Sequence, residues 1–569
     1  MDSSNTASPE ELFAKYAQQY IATGAQDDAF EISISEKKLR HFVQRVCNAI
    51  VRNEKIFIFG DYDVDGIGST AMLHEMINDV ALHINRGVDI AYKIPSREDS
   101  YGINFEYFEY YLEECDLVIT LDNGTHEGFF GKIEESQRSR VLIVDHHPNG
   151  DFEEHDFVIN PNPNGNVGIS TGVILQKIFM AFRALVPGYK EIRDPGHFAD
   201  LATMTAISDV ANTNNPYVRN LIGEGLKRIM ERNRYVFKKI IPDHKKDLTM
   251  NDVAFDVVPV INSIGRLSAD PSWAVELLLA KNYTGRNNDL LMRALDTNEQ
   301  RKELTSFYTK QTLAALPENA AESTLLYIHD DAVNIGLNGL IAGNIFSAVG
   351  VDTIATSFNV SDPDNPIVGS GRGERVRRHL EALATMTSSF SFGGHDRAVG
   401  VRIHDQEAFR KAVNDYNEMQ MSLSINRMGE DCSTKKAPFI DKVFTLREFL
   451  KMCYAYSDIV GKGSIRFKDA IYATVAATTI GMKEYRNNYA KAIMVDDDGF
   501  TVSFLISKED HVDYANETTY LASVVPLKRG AVDPDVDTIP VTITAVKEAL
   551  PPPSIATTPN NPNKMKVHA

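Results

Sequence analysis

The chain has 569 residues, 43% hydrophobic and 24% charged, an ordinary balance for a globular protein and enough length for three or four separately cored domains. A formal net charge of −19 argues against surface-wide affinity for nucleic acid, since counterion release needs Lys and Arg facing phosphates; it leaves room for a local basic groove. No run of about eighteen apolar residues reads as a membrane span. Met1-Asp2-Ser3-Ser4 lacks the basic start of a secretory signal, and Cys47, Cys115, Cys432 and Cys453 form neither a zinc motif nor a disulfide framework. The expectation is a cytoplasmic protein, bacterial or from a phage acting in its host.

In chain order, a helix is expected near residues 9–23, then alternating strands and helices from about 36 to 160. Apolar runs at 55–60, 88–94, 116–121 and 140–145 have the length of buried parallel strands, with crossover helices at 66–82, 104–114 and 126–136. That alternation predicts a doubly wound α/β sheet, whose carboxyl strand ends line one crevice.

Three of those ends carry metal-ligand residue types. Ile56-Phe57-Ile58-Phe59-Gly60 runs into Asp61-Tyr62-Asp63-Val64-Asp65-Gly66, Val118-Ile119-Thr120-Leu121 into Asp122-Asn123-Gly124, and Val141-Leu142-Ile143-Val144 into Asp145-His146-His147. A single aspartate after a strand is ordinarily a helix cap or turn residue. Three such ends in succession point instead to Asp63, Asp65, Asp122 and His146 converging on an oxygen-rich site suited to Mg²⁺ or Mn²⁺.

Residues 169–235 read as mostly helical, with start signals at Ser170-Thr171 and Asp194-Pro195, and 284–316 as one long, largely polar helix of the kind that bridges domains. A second, smaller α/β unit is expected from Ser323 to about residue 420, with glycine clusters at Gly369-Ser370-Gly371-Arg372-Gly373 and Gly393-Gly394-His395. Beyond Met428, strand-like runs suggest a β-rich region with the oligonucleotide-binding (OB) barrel as the guess; Pro551 to Ala569 reads as a disordered tail.

With Gly60-Asp61-Tyr62-Asp63-Val64-Asp65-Gly66 and Asp145-His146-His147 read together, the chain resembles the DHH phosphoesterase superfamily, and within it the RecJ single-strand-specific 5′→3′ exonucleases. Further motifs carry the resemblance across roughly residues 35–415: Tyr92 to Arg97 with Tyr101-Gly102, Ile119 to Gly124, Ile159-Asn160-Pro161-Asn162, Asp200-Leu201-Ala202 to Asp209, Ile261 to Leu267, and Ser370-Gly371-Arg372 with Phe392 to His395. The last group resembles the DHHA1 domain that accompanies the DHH domain. Two departures stand out. Phe59 occupies a position where some branches have histidine, and Asn344 one where RecJ proteins usually have arginine.

The resemblance implies two Mn²⁺ or Mg²⁺ ions, one held by Asp63 and Asp122, the other by Asp65, Asp122, His146 and Asp209, with Asp122 bridging. His147 would donate to the phosphate or leaving oxygen beside the catalytic Asp122 and Asp65. Arg97, Arg266, Arg372, Gly393, Gly394 and His395 would grip substrate phosphates. Tyr92, Tyr101, Tyr107 and Phe108 fit core positions better than base-stacking ones. The implied activity is release of 5′-mononucleotides from single-stranded DNA in recombination, repair or replication, beside a helicase or single-strand-binding protein. The alternatives are a phosphodiesterase for short oligonucleotides or cyclic dinucleotides, and a non-catalytic replication scaffold. The expected domains are an N-terminal helical segment (1–35), DHH domain (36–282), connecting helix (283–318), DHHA1 domain (319–422), OB-like region (423–550) and tail (551–569).

Overall fold

The computed structural model describes residues 32–426, apart from 100–102, 104, 126–128, 130–131, 149–154, 163–167, 214, 246 and 361–365, and then 439–460, 472–484, 489–495, 501–507, 517–523 and 538–545. The helix expected at 9–23 and the tail from Pro551 lie outside the described residues. The remainder falls into two compact units, divided near residue 432.

The first unit begins with α1 (Glu36–Arg52), whose N-cap Ser35 accepts from Lys38 N, and enters β1 (Lys55–Gly60). Helix α2 (Val64–His83), β2 (Asp89–Lys93), α3 (Phe105–Glu114), β3 (Leu117–Leu121), β4 (Val141–Val144) and the short β5 (Val158–Ile159) follow. The strands form one sheet in the order β2-β1-β3-β4-β5, parallel throughout. Every residue of β3 and β4 is buried, which is why these runs read as continuously apolar. The order reverses between β1 and β3, and such a switch point opens a crevice beyond the carboxyl ends of both strands. The expected crossover helix at 126–136 lies partly outside the described residues; where the chain is described, Lys132 to Gln137 is irregular chain and turns and a short 3-10 helix spans Arg138–Arg140, so no α-helix reaches residue 136.

A helical layer completes this part: α4 (Thr171–Leu185), α5 (Ala199–Ser208), α6 (Pro216–Met230), α7 (Val258–Leu267) and α8 (Trp273–Leu279). Helix α9 (Gly285–Ala315), capped by Thr284, then runs unbroken for 31 residues. Only a narrow stripe of it is buried, Leu291, Ala294, Asn298, Thr305 and Thr309, which matches the polar bridging helix expected at 284–316.

A mixed sheet follows, ordered β6-β7-β8-β10-β9, from β6 (Leu325–His329), β7 (Asp352–Phe358), β8 (Ile367–Arg372), β9 (Phe390–His395) and β10 (Ala398–Ile403). Helices α10 (Asn338–Val349), α11 (Val376–Ala384) and α12 (Gln406–Asn426) accompany it, the smaller α/β unit expected from the sequence.

The second unit carries β11 (Phe439–Phe444), α13 (Leu446–Val460), β12 (Tyr472–Glu484), β13 (Tyr489–Val495), β14 (Thr501–Ser507), β15 (Glu517–Ser523) and β16 (Thr538–Ala545). Its sheet order is β11-β12-β13-β14-β16-β15, and β15 also pairs with β12, closing five strands into a barrel. The β14–β16 pairing is parallel and its neighbours antiparallel, a five-stranded closure of the OB type.

Candidate metal centre and its basic surround

Beyond β1 the chain turns through Asp61 and Tyr62 to Asp63, whose extended backbone and Oδ1 cap α2 by accepting Asp65 N at 2.8 Å and Gly66 N at 3.1 Å. That cap sets Asp65 in the first turn of α2. Its two oxygens accept Thr171 N at 2.6 Å and Gly172 N at 3.0 Å, so the start of α4 donates two backbone amides to a buried carboxylate. Position 172 must be glycine for this approach: a Cβ would stand 2.1 Å from Thr205 Oγ1 on α5. Helix α5 in turn ends at Asp209, its C-cap, and so returns a carboxylate to the crevice.

Asp122 follows β3 with φ +63°, and Val210 beside Asp209 has φ +50°. Left-handed backbone at non-glycine residues costs on the order of 1–3 kcal/mol and is tolerated where surrounding structure enforces it. Here Asp122 N donates to Val144 O at 2.9 Å, tying the turn to β4.

These segments meet at one imidazole. His146 Nε2 lies 3.1 Å from Asp122 Oδ1, 3.5 Å from Asp209 Oδ2 and 3.6 Å from Asp65 Oδ2. Asp61, Asp63 and Asp122 form an adjoining group whose oxygens lie within 4.8 Å of one another. The structure thus brings together Asp63, Asp65, Asp122, His146 and Asp209. His147 points its Nδ1 elsewhere, 2.8 Å from Asp145 Oδ1 and 4.0 Å from Asp122 Oδ1. Asp145 itself accepts the backbone N–H groups of His146 (2.7 Å) and His147 (3.2 Å) and the Thr125 hydroxyl, so it orients the pair.

The electrostatics of this cluster favour a cation. Burial, reinforced by Asp65 and Asp63, pushes Asp122 well above the usual carboxylate range; burial likewise raises Asp65, and lifts Asp209 to about 7. Asp61 is pushed to about 8 by burial and then by Asp63, and its Oδ1, shielded from water, has no hydrogen-bond partner. Burial opposes charge on His147, but Asp145 outweighs it and holds the imidazolium up to about 9. Oxygen-rich donors, mutual repulsion and an orphaned carboxylate oxygen fit hard divalent cations, which would neutralise the cluster. A second acidic group, Glu75, Asp79 and His197, lacks that need: Arg234 and Lys281 hold Glu75, and Arg193 grips Asp79 through two nitrogens.

A basic surround faces this centre. Arg97 lies over the Tyr62 ring, 4.0 Å from its centroid. Arg266, in the last turn of α7, donates to Gly336 O at 2.8 Å, while Arg372, ending β8, donates to its neighbour Gly371 O at 2.8 Å. Burial, then Arg97, Arg372 and Arg301, lower Arg266 to about 9; burial and Arg97 lower Arg372 to about 10. The three expected arginines therefore converge. The β8-β10-β9 register sets Arg372, Ala398 and His395 level across three strands, with Gly393 and Gly394 on the same edge strand. Asn344 of α10 bonds Thr309 of α9 at 3.2 Å. Phe108 is core, packed on Phe105 and Phe129; Tyr92 meets His74 edge to face; Tyr101 lies outside the described residues.

Sequence reasoning passed over several contributors. Thr171 and Gly172 were visible only as a helix-start signal, and Asn160 and Asn162 only as part of a motif, yet their side-chain amides hold the carbonyls of His147 and His146 at 2.8 and 2.7 Å. Arg301 carried no signal at all.

Residues 55–207 match the model of the DHH family, N-terminal domain. That segment carries Asp63, Asp65, Asp122, His146 and His147, so over these residues the chain is similar to DHH-family domains. It is 25% identical over 406 residues to the single-stranded-DNA-specific exonuclease RecJ of Bacillus subtilis, covering 69% of this chain and 49% of that protein. It is 27% identical over 416 residues to RecJ of Haemophilus influenzae, covering 66% of this chain and 69% of that protein. The chain thus spans about half the length of the first relative and about two thirds of the second. The crystal structure of RecJ from Thermus thermophilus in complex with Mn²⁺ superposes with a TM-score of 0.70 at 19% identity, covering 96% of this chain and 76% of that one, a likeness of fold that includes the barrel unit. Among the described residues no helix is long and apolar enough to cross a membrane.

Proposed function

We propose that this RecJ-like chain is a metal-dependent 5′→3′ exonuclease that hydrolyses single-stranded DNA to 5′-mononucleotides. The observation that carries the reading is His146 Nε2 within 3.6 Å of carboxylates from three separate segments, beside Arg266 and Arg372, which donate to backbone carbonyls, and Arg97, which lies over the Tyr62 ring. Asp63, Asp61 and Asp122 would hold one divalent cation, and Asp65, Asp122, His146 and Asp209 a second, Mn²⁺ or Mg²⁺. When bound, such a pair neutralises phosphate charge and brings the pKa of water toward neutrality.

The chain's own residues supply the rest. Arg97, Arg266 and Arg372 bind phosphate oxygens and fix the strand end; guanidinium forks match those oxygens bidentately. His147, protonated through Asp145, donates to the phosphate or leaving oxygen, and Asp145 keeps its ring in that orientation. The same reading puts the protein in the cytoplasm of a bacterium or phage-infected cell, in recombination, repair or replication, on strands presented by a helicase or single-strand-binding protein.

The test is digestion of single- and double-stranded oligonucleotides, labelled at either end, by wild type and Asp122→Ala with Mn²⁺. Mononucleotides from the 5′ end of single strands, absent in the variant, support the proposal. Duplex preference or 3′ polarity rejects it. Faster turnover of two-nucleotide than of thirty-nucleotide substrates would favour the short-oligonucleotide phosphodiesterase, and absence of divalent-metal binding the scaffold.

A further inference from the structure

Arg301 sits on the one stripe of α9 that the fold buries. It falls three residues after Asn298 and four before Thr305, both buried, the spacing that places side chains on a common helix face. A guanidinium in such a place costs free energy unless a counter-charge meets it. Among the described residues it forms no ion pair, and the one acid whose charge acts on it is Glu299 of the same helix. Nη2 donates to the neutral Asn298 Oδ1 at 2.8 Å, and Nε, shielded from water, has no acceptor. The nearby acid on the same helix, Glu299, is engaged by Lys302 at 3.1 Å.

The surroundings say what the missing partner is. Helix α9 packs along α7, and the charge of Arg301 acts on Arg266, as do those of Arg97 and Arg372. Four guanidiniums from four different elements thus crowd together; Gly336 O, Gly371 O, Asn298 Oδ1 and the face of Tyr62 meet them at contact distance, while Asp63, Asp61 and Glu299 act on Arg266, Arg97 and Arg301 without an ion pair. A terminal phosphate monoester carries about two negative charges at most near pH 7. Arg97, Arg266 and Arg372 already exceed that, so the fourth charge answers to a second phosphate.

We propose that Arg301 is a substrate-binding residue that contacts an internucleotide phosphate, beyond the phosphate gripped by Arg97, Arg266 and Arg372. The inference rests on the proposed action on single-stranded DNA. It makes the connecting helix part of the binding surface, so that grip depends on how many phosphates the substrate carries.

The experiment measures anisotropy of labelled, 5′-phosphorylated oligothymidylates on the full chain in Ca²⁺, with wild type, Arg301→Gln and Arg301→Lys, and competition by thymidine 5′-monophosphate. Gln keeps a donor for Asn298 while removing the charge; Lys keeps the charge. For a ten-nucleotide ligand, R301Q should weaken binding about 10-fold and flatten the slope of log K against log salt by about 0.7, the share of one phosphate contact on a single strand. R301K should retain the slope, and the mononucleotide should compete equally in all three. Neutral methylphosphonate links placed one at a time should identify one position whose loss weakens wild type but not R301Q. With Mn²⁺, R301Q should raise KM and leave kcat unchanged. An unaltered Kd in R301Q, an equal loss in R301K, an equal loss for the mononucleotide, or no methylphosphonate position that fails to add to R301Q would each overturn the inference. Wild type that binds no oligonucleotide would reject the proposed function itself, a result distinct from wild-type binding that R301Q leaves intact.

Discussion

His147 Nδ1 stands 2.8 Å from Asp145 Oδ1, the same oxygen that accepts the backbone N–H of His146 at 2.7 Å. One carboxylate therefore fixes both histidines, and its charge keeps the second protonated up to about 9. If His147 is the proton donor, kcat should hold with rising pH until that value and then fall as the acid form is lost.

Asp145→Asn retains the shape and removes the charge. The expected outcome is a 10- to 100-fold lower kcat, with the alkaline limb moved down toward the ordinary histidine range near about 6.5. A kcat–pH profile measures this. A limb that stays near 9 in the variant would show that another group donates the proton.

A second prediction follows from repulsion inside the cluster. Asp122 is held well above the usual range by burial and by Asp65 and Asp63, so in chelator Asp122→Asn removes an unfavourable charge and should raise Tm. With Mn²⁺ the order should reverse. Wild type should gain about 2.7 kcal/mol at a metal concentration 100-fold above Kd, and the variant little. Thermal melts in chelator and in Mn²⁺ decide it; equal metal-induced shifts in both proteins would remove Asp122 from the ligand set.

Arg234 is wholly buried, between Glu75 at 2.9 Å and Asp200 at 2.7 Å. Burial alone would raise Glu75, but Arg234, His197 and Lys281 more than offset it and hold its carboxyl below the usual range. A depressed folded pKa means stability that is present above the unfolded value near about 4.3 and is lost as pH falls below it. Glu75→Gln should therefore flatten the acid limb of stability against pH. Arg234→Met, which strands the buried Asp200 and leaves Glu75 to Lys281 and His197, should cost about 3–5 kcal/mol at pH 7. Urea unfolding across pH 3 to 8 checks both; an acid limb unchanged in E75Q would assign the pH sensitivity to other groups.

The sheet and the site were unequally legible. Strands β1, β3 and β4 are buried in a parallel sheet, so each shows as an unbroken apolar run, and the residues just past them, Asp63, Asp65, Asp122 and His146, must share a crevice. That is geometry any sequence of this pattern imposes. The contacts that hold those residues arise from chain crossings with no local mark. Thr171 and Gly172 reach Asp65 because α4 starts against α2, and the left-handed backbone of Asp122 shows in no residue preference, since aspartate serves many turns. Arg301 was invisible for a related reason: in a long polar helix one arginine looks solvated until packing shows which stripe is covered.

Gly265 offers a last prediction, because α7 rests directly on the loop that carries Asp61 and Asp63. A Cβ at Gly265 would stand 1.7 Å from the carbonyl oxygen of Tyr62, a backbone atom that cannot swing aside. The same loop presents the Tyr62 ring to Arg97, and the next residue on α7 is Arg266. Gly265→Ala should therefore shift the proposed metal ligands and the proposed phosphate-binding arginines together, weakening Mn²⁺ binding as well as costing about 1–3 kcal/mol of stability. Gly87→Ala is the control, since nothing lies within 4 Å of the methyl group it would gain. Titration calorimetry with Mn²⁺ beside urea unfolding separates the outcomes. Stability lost with unchanged metal affinity would mean that the loop absorbs the displacement without moving its carboxylates, and the coupling between α7 and the acidic turn would be refuted.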